Sequence, residues 1–65
     1  MFVSVTPAVG PAPRLVNMRD VQFIRPNEDY QSCWLRMRDG EMLHIQESLS
    51  VLYALLQKHK LILTL

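Results

Sequence analysis

Cysteine is nearly absent from this 65-residue chain: Cys33 stands alone, so an internal disulfide is excluded. A single thiol beside the two imidazoles, His44 and His59, also falls short of the four ligands of a structural zinc site. Glycine is scarce as well. Gly10 and Gly40 are the only two, which leaves no glycine-rich loop to cradle a phosphate. No segment approaches the roughly 18 apolar residues of a membrane span. Met1-Phe2-Val3-Ser4-Val5 lacks the basic start and long apolar stretch of a secretory signal. A cytoplasmic location is the expectation. An excess of one charge is missing too: the net charge of +1 supplies no overall electrostatic drive toward nucleic acid or an anionic membrane.

What the chain does have is apolar surface, with 49% hydrophobic residues against 20% charged. A chain this short makes one domain, residues 1–65, and a core of that size rarely supplies more than about 3–5 kcal/mol without an added staple. Disulfide and metal being excluded, oligomerisation is the remaining staple. The composition therefore predicts a homo-oligomer with leftover apolar surface in each protomer.

Strand patterns dominate the first two thirds. Residues 2–6 are β-branched and aromatic and stop at Pro7, which reads as a first strand near an edge. Residues 7–13 hold three of the four prolines and one glycine and form a connecting loop. Their PxxP-like spacing also suits an SH3-type ligand, although a stiff loop explains it as well. Residues 14–17 and 21–25 read as the second and third strands, separated by turn chemistry from Asn17 to Asp20. Asn27-Glu28-Asp29 turns the chain into a fourth strand, 31–38, and Asp39-Gly40 into a fifth, 41–46. Short links between successive strands favour an antiparallel meander.

The length of the Asp39-Gly40 turn decides which side chains share a face. A two-residue turn would set Leu35 opposite His44 and mix polar with apolar residues on both faces. A three-residue loop, Arg38-Asp39-Gly40, with Gly40 left-handed in a bulge, sets Cys33 opposite Ile45, Leu35 opposite Leu43 and Trp34 opposite His44. That register sorts an apolar face of Cys33, Leu35, Leu43 and Ile45 from a mixed face of Trp34, Arg36, Met42, His44 and Gln46. It is the preferred one.

Ser48 suits a helix N-cap, and a helix is predicted over 48–60, its basic end favourable to the helix dipole. Leu49, Leu52, Tyr53 and Leu56 form the apolar stripe. Val51, Ala54 and Leu55 extend the apolar character to the other side, which is expected to meet a second subunit. The apolar tail 61–65 is expected to form a strand pairing with the first strand or with another chain, the alternative being a helix that runs on. The fold class is thus α+β: an antiparallel β-meander of four to five short strands followed by one C-terminal helix.

No catalytic set emerges. Cys33 and His44 lie on adjacent strands but point to opposite faces in the preferred register, so Cys33 reads as a buried structural thiol. Glu28, Asp29, Asp39 and Glu41 are turn residues and form no acid–base dyad. The chain is read as a non-catalytic interaction or regulatory module with no cofactor and no metal. Its partner-binding residues are Trp34, Arg36, Met42 and His44 on the hairpin, by virtue of anchor chemistry, and Val51 and Leu55 on the helix. The alternative places Trp34 under the chain's own helix.

Leu15-Val16-Asn17, Asp20-Val21 to Ile24, Asp39-Gly40 and Gln46-Glu47-Ser48-Leu49 together resemble the small bacterial FlbD-type proteins. The family's T-R-L-N-G start is replaced here by Thr6-Pro7 and the proline-rich loop. The resemblance implies the meander-plus-helix fold and a flagellar setting; for the interaction module itself a bacterial or phage origin is expected. Residues 20–56 also resemble the first half of LytTR-type DNA-binding domains. That likeness implies the alternative function, a small nucleic-acid-binding regulator with Arg25, Arg36 and Arg38 as phosphate contacts and binding that weakens steeply with salt.

Overall fold

A computed structural model describes residues 1–63. The fold is α+β, with antiparallel strands and one C-terminal helix: β1 (Phe2–Val5), β2 (Arg14–Asn17), a single 3-10 turn (Met18–Asp20), β3 (Val21–Pro26), β4 (Cys33–Met37), β5 (Met42–Ile45) and α1 (Leu49–Lys58).

The strands fall into two sheets, a β1–β2 hairpin and a β3–β4–β5 meander. The break between β2 and β3 is the 3-10 turn, capped by the Asn17 side chain accepting from the Arg19 N–H at 3.1 Å. The two sheets are nonetheless stitched together beyond β1. Pro7 bridges Ile45, the Gln46 N–H donates to the Thr6 carbonyl at 2.7 Å and the Ala8 N–H to the His44 carbonyl at 2.9 Å. The start of the proline-rich segment is therefore a short rung on the outer edge of β5 and only the remainder is loop. Pro7 is tolerated there because an edge position asks no N–H of it.

The β4–β5 register matches the three-residue loop. Cys33 faces Ile45, Trp34 faces His44, Leu35 faces Leu43 and Arg36 faces Met42. The Gly40 N–H closes a turn on the Met37 carbonyl at 3.0 Å, and Gly40 itself has φ +97°, a conformation that favours glycine. The Asp39 carboxylate accepts from the Glu41 N–H at 2.9 Å and holds the loop from inside.

β4 begins at Cys33, two residues later than its pattern suggests. Its first turn consumes the residues before it: the Asn27 N–H bonds the Ser32 carbonyl, Tyr30 is left-handed at φ 57°, and the Asp29 carboxylate accepts from the Gln31 N–H. On β3 a bulge between Val21 and Phe23 lets Val21 face Met37 while Phe23 faces Arg36.

The core comprises Val3, Val5, Val16, Cys33, Leu35, Met37, Ile45 and Leu52, with Met18, Val21, Ile24 and Leu43 packed around it. Leu52 is the buried residue of α1, so the helix lies on the inner side of the β3–β4–β5 sheet. Ser48 caps α1 by accepting from the Val51 N–H at 3.2 Å. At the other end Lys60 turns left-handed at φ 58°. The Lys60 N–H reaches the Gln57 carbonyl at 3.0 Å and the Leu61 N–H reaches back to the Leu56 carbonyl at 2.9 Å. This pair of bonds satisfies the helix's last carbonyls and ends it. Residues 61–63 then form neither strand nor helix, so neither the tail strand nor a running-on helix is found there. Thr64 and Leu65, the rest of that predicted segment, lie outside the described residues. Among the described residues no helix is long and apolar enough to cross a membrane.

Candidate functional site

The strand register brings four of the six candidate residues onto one surface. Alternation along β4 sends Cys33, Leu35 and Met37 inward and Trp34 and Arg36 outward. The partners of the outward pair across the sheet extend the surface in two rows, Arg25–Trp34–His44 and Phe23–Arg36–Met42. Since α1 packs on the inner side, Trp34 is not covered by it. Val51 and Leu55 belong to the helix and do not join this surface.

The upper row is built around a stack. The Trp34 and His44 rings lie 4.3 Å apart, centroid to centroid, with planes 12° from parallel. Both are held at their edges: the Trp34 indole N–H donates to the Asn27 Oδ1 at 3.3 Å, and the His44 Nε2 lies 2.8 Å from the Ser32 hydroxyl. Asn27 and Ser32 sit at the two ends of the β3–β4 turn, so that turn also orients the rings. In the lower row the Arg36 Nε is buried with no hydrogen-bond partner among the described residues. Phe23 and Met42 flank it, both exposed. The bulge shifts the register of Phe23 relative to Val21 and sets it opposite Arg36, at the β3 edge of the sheet, where it also lines a groove with Leu49, Leu52 and Leu56 of α1.

Charge is distributed unevenly around this face. The salt bridge among the described residues, Arg14 to Glu41 at 2.9 Å, lies elsewhere, between β2 and the β4–β5 loop. The Arg14 guanidinium holds the Glu41 carboxyl below the usual carboxylate range through a two-pronged hydrogen bond. Arg38 sits beyond the end of β4, its guanidinium donating to the Arg19 carbonyl at 2.7 Å.

Cys33 is fully buried between the layers, on the face away from His44. Burial pushes its thiol up to about 11, with the Glu47 charge adding to the effect, which disfavours the thiolate at neutral pH. Burial would also raise the Glu47 carboxyl, but hydrogen bonds from Thr6, the backbone one 2.8 Å long, outweigh it and leave that carboxyl below its ordinary value. Glu47 therefore serves as a clamp between the end of β1 and the start of α1. Among the described residues no group of three or more His, Cys, Asp or Glu could hold a metal ion.

A second surface is apolar. Leu55, Leu56, His59 and Leu61 from the end of the helix face Met1, Phe2, Val3 and Ser4 across a groove of about 410 Å³. Phe2 is 65% exposed, Leu61 48% and Leu55 37%. Val51, one turn before Leu55 on the helix, is 55% exposed.

Comparison with known protein families, with curated proteins and with solved structures finds no match.

Proposed function

We propose that this chain is a non-catalytic interaction module of the cytoplasm that self-associates through the apolar surface formed by β1 and α1. The observation that supports this most directly is the groove in which Phe2, Leu55 and Leu61 lie together and exposed. The total accessible surface of 4900 Å² exceeds the about 4300 Å² that a folded monomer of this mass ordinarily presents. A second copy laid along α1 would cover Leu55 and Val51 and add to the burial of a core that counts eight of the described residues. The β3–β4–β5 face stays free for another partner in such an assembly.

Light scattering across a dilution series tests the reading. The wild-type chain is expected to show a mass above 7.6 kDa that falls on dilution, and Leu55→Glu is expected to give a monomer with unchanged circular dichroism. A monodisperse wild-type monomer at about 100 µM, a concentration at which even a weak specific dimer is populated, would remove the proposal.

A further inference from the structure

The free face of the β3–β4–β5 sheet combines three features that point to one ligand chemistry. The register sets six residues along it, Phe23, Arg25, Trp34, Arg36, Met42 and His44, with Phe23 at its edge beside α1. None is a carboxylate, although the chain has six. Four of those six are engaged elsewhere: Asp29 and Asp39 inside turns, Glu41 on Arg14, and Glu47 on Thr6. The two arginines therefore stand on a surface of one sign, without an ion-pair partner among the described residues. The Trp34–His44 stack is already rigid, its edges held by Asn27 and Ser32, so a planar group stacking beside it orders nothing further. Finally, the Arg36 Nε is a buried donor that lacks an acceptor, a condition that folded proteins normally avoid.

We propose that this face binds single-stranded nucleic acid, with a base stacking at the Trp34–His44 pair and phosphates meeting Arg25 and Arg36. The proposal rests on reading the chain as an interaction module and names the partner of its sheet face. Alternating aromatic and cationic positions are what a splayed strand requires, a π-face for each base and a positive charge for each phosphate. A duplex offers its bases only edge-on in the grooves, so the stacked rings would be idle against it. An acidic peptide would use the arginines and leave the aromatic stack without a counterpart. Three strands about 4.8 Å apart make the face roughly 10 Å wide, room for two or three nucleotides. Affinity per protomer is accordingly modest and rises in the assembled state, where several faces engage one strand.

Trp34 is the chain's sole tryptophan, so its fluorescence reports on this surface directly. Oligo-dT and oligo-rU of about ten nucleotides, within the usual site size of single-strand binders, would be titrated at about 50 mM salt. Saturable quenching is expected with either. Two phosphate contacts on a single strand predict a salt slope of about −1.4, a roughly sevenfold loss of affinity between 50 and 200 mM. Arg25→Gln, at an exposed position, should halve that slope with the fold intact. With a fluorescently labelled oligonucleotide, Trp34→Phe should bind within about threefold of the wild type, while Trp34→Ala should lose about tenfold or more. No quenching at millimolar oligonucleotide, equal binding of a duplex, or equal binding of a polyglutamate peptide would each overturn the proposal. Light scattering on the same samples separates the two ideas, because loss of oligonucleotide binding with self-association intact indicts the ligand alone.

Discussion

The indole of Trp34 and the imidazole of His44 stack across β4 and β5 at 4.3 Å, their planes 12° from parallel. Cross-strand aromatic pairs contribute about 0.5–1.5 kcal/mol beyond the area they bury. His44→Ala is therefore expected to lower the unfolding free energy by about that amount and to shift the Trp34 emission to the red as water reaches the freed ring face. Ser32→Ala keeps the stack and loses one hydrogen bond, worth about 0.5–1 kcal/mol, so its emission should stay close to wild type. Urea titration followed by fluorescence reads both quantities, and an unchanged spectrum in His44→Ala would show that the rings do not stack in solution.

Cys33 gives the fold a defined response to alkali. Its thiol is raised from 9.0 to about 11 by burial first and the Glu47 charge second. The unfolded chain thus ionises before the folded one, and the folded state holds the proton more tightly. The stability linked to this group is fully present below pH 9 and is lost as pH climbs through the interval from 9 to 11. Melting temperature should fall more steeply across that interval in the wild type than in Cys33→Ala, which has no thiol to ionise. Alkylation by iodoacetamide at pH 8 should be slow in the native protein and fast in urea, and rapid native labelling would contradict the buried thiol.

These two residues also show what local pattern can and cannot convey. The placement of Cys33 inward and Trp34 outward was legible, because period-two alternation and the Gly40 bulge together admit one register that unmixes the hairpin faces. The Ser48 cap was legible for the same reason: its chemistry is complete within four residues. Contacts that close over long stretches left no such trace. The clamp from Glu47 to Thr6 joins residues 41 positions apart, and nothing in a proline-rich segment announces that Pro7 will bridge Ile45. The register of Phe23 is shifted by a bulge that alternation cannot foresee. The candidate surface was thus visible in Trp34, Arg36, Met42 and His44, and in Arg25 through the nucleic-acid alternative, while the gathering of Arg25 with the hairpin residues on one face required the fold.

The end of the helix carries a prediction of its own. Apolar residues follow Lys60 without glycine or proline, so the pattern offered no stop, yet the chain reverses there by forcing Lys60 to φ 58°. A non-glycine residue in this conformation costs on the order of 1–2 kcal/mol, part of which glycine recovers at this helix-ending position. Lys60→Gly is expected to raise stability by about 0.5–1 kcal/mol, whereas Lys60→Val, β-branched and ill-suited to positive φ, should lower it. Thermal melts of the two variants check the sign, and a gain in the valine variant would mean that the helix continues through residue 60.

Leu52 and Leu55 lie three residues apart on α1 and answer to different burial. Leu52 is 3% exposed and completes the core, while Leu55 is 37% exposed on the groove beside Phe2. Truncating Leu52 leaves a cavity among Leu35, Ile45 and their neighbours, and such changes cost about 2–5 kcal/mol, comparable with the whole stability of a domain this small. Leu52→Ala should therefore unfold most of the chain at 37 °C. Leu55→Ala removes a side chain that still contacts water, so its cost within the protomer should stay below about 1 kcal/mol while the dissociation constant of the assembly rises. Measured at high and low protein concentration, Leu52→Ala should be destabilised in both, and Leu55→Ala should lose most of its stability difference on dilution. Equal destabilisation of the two variants at every concentration would place Leu55 in the core of the protomer and leave the proposed interface without its central residue.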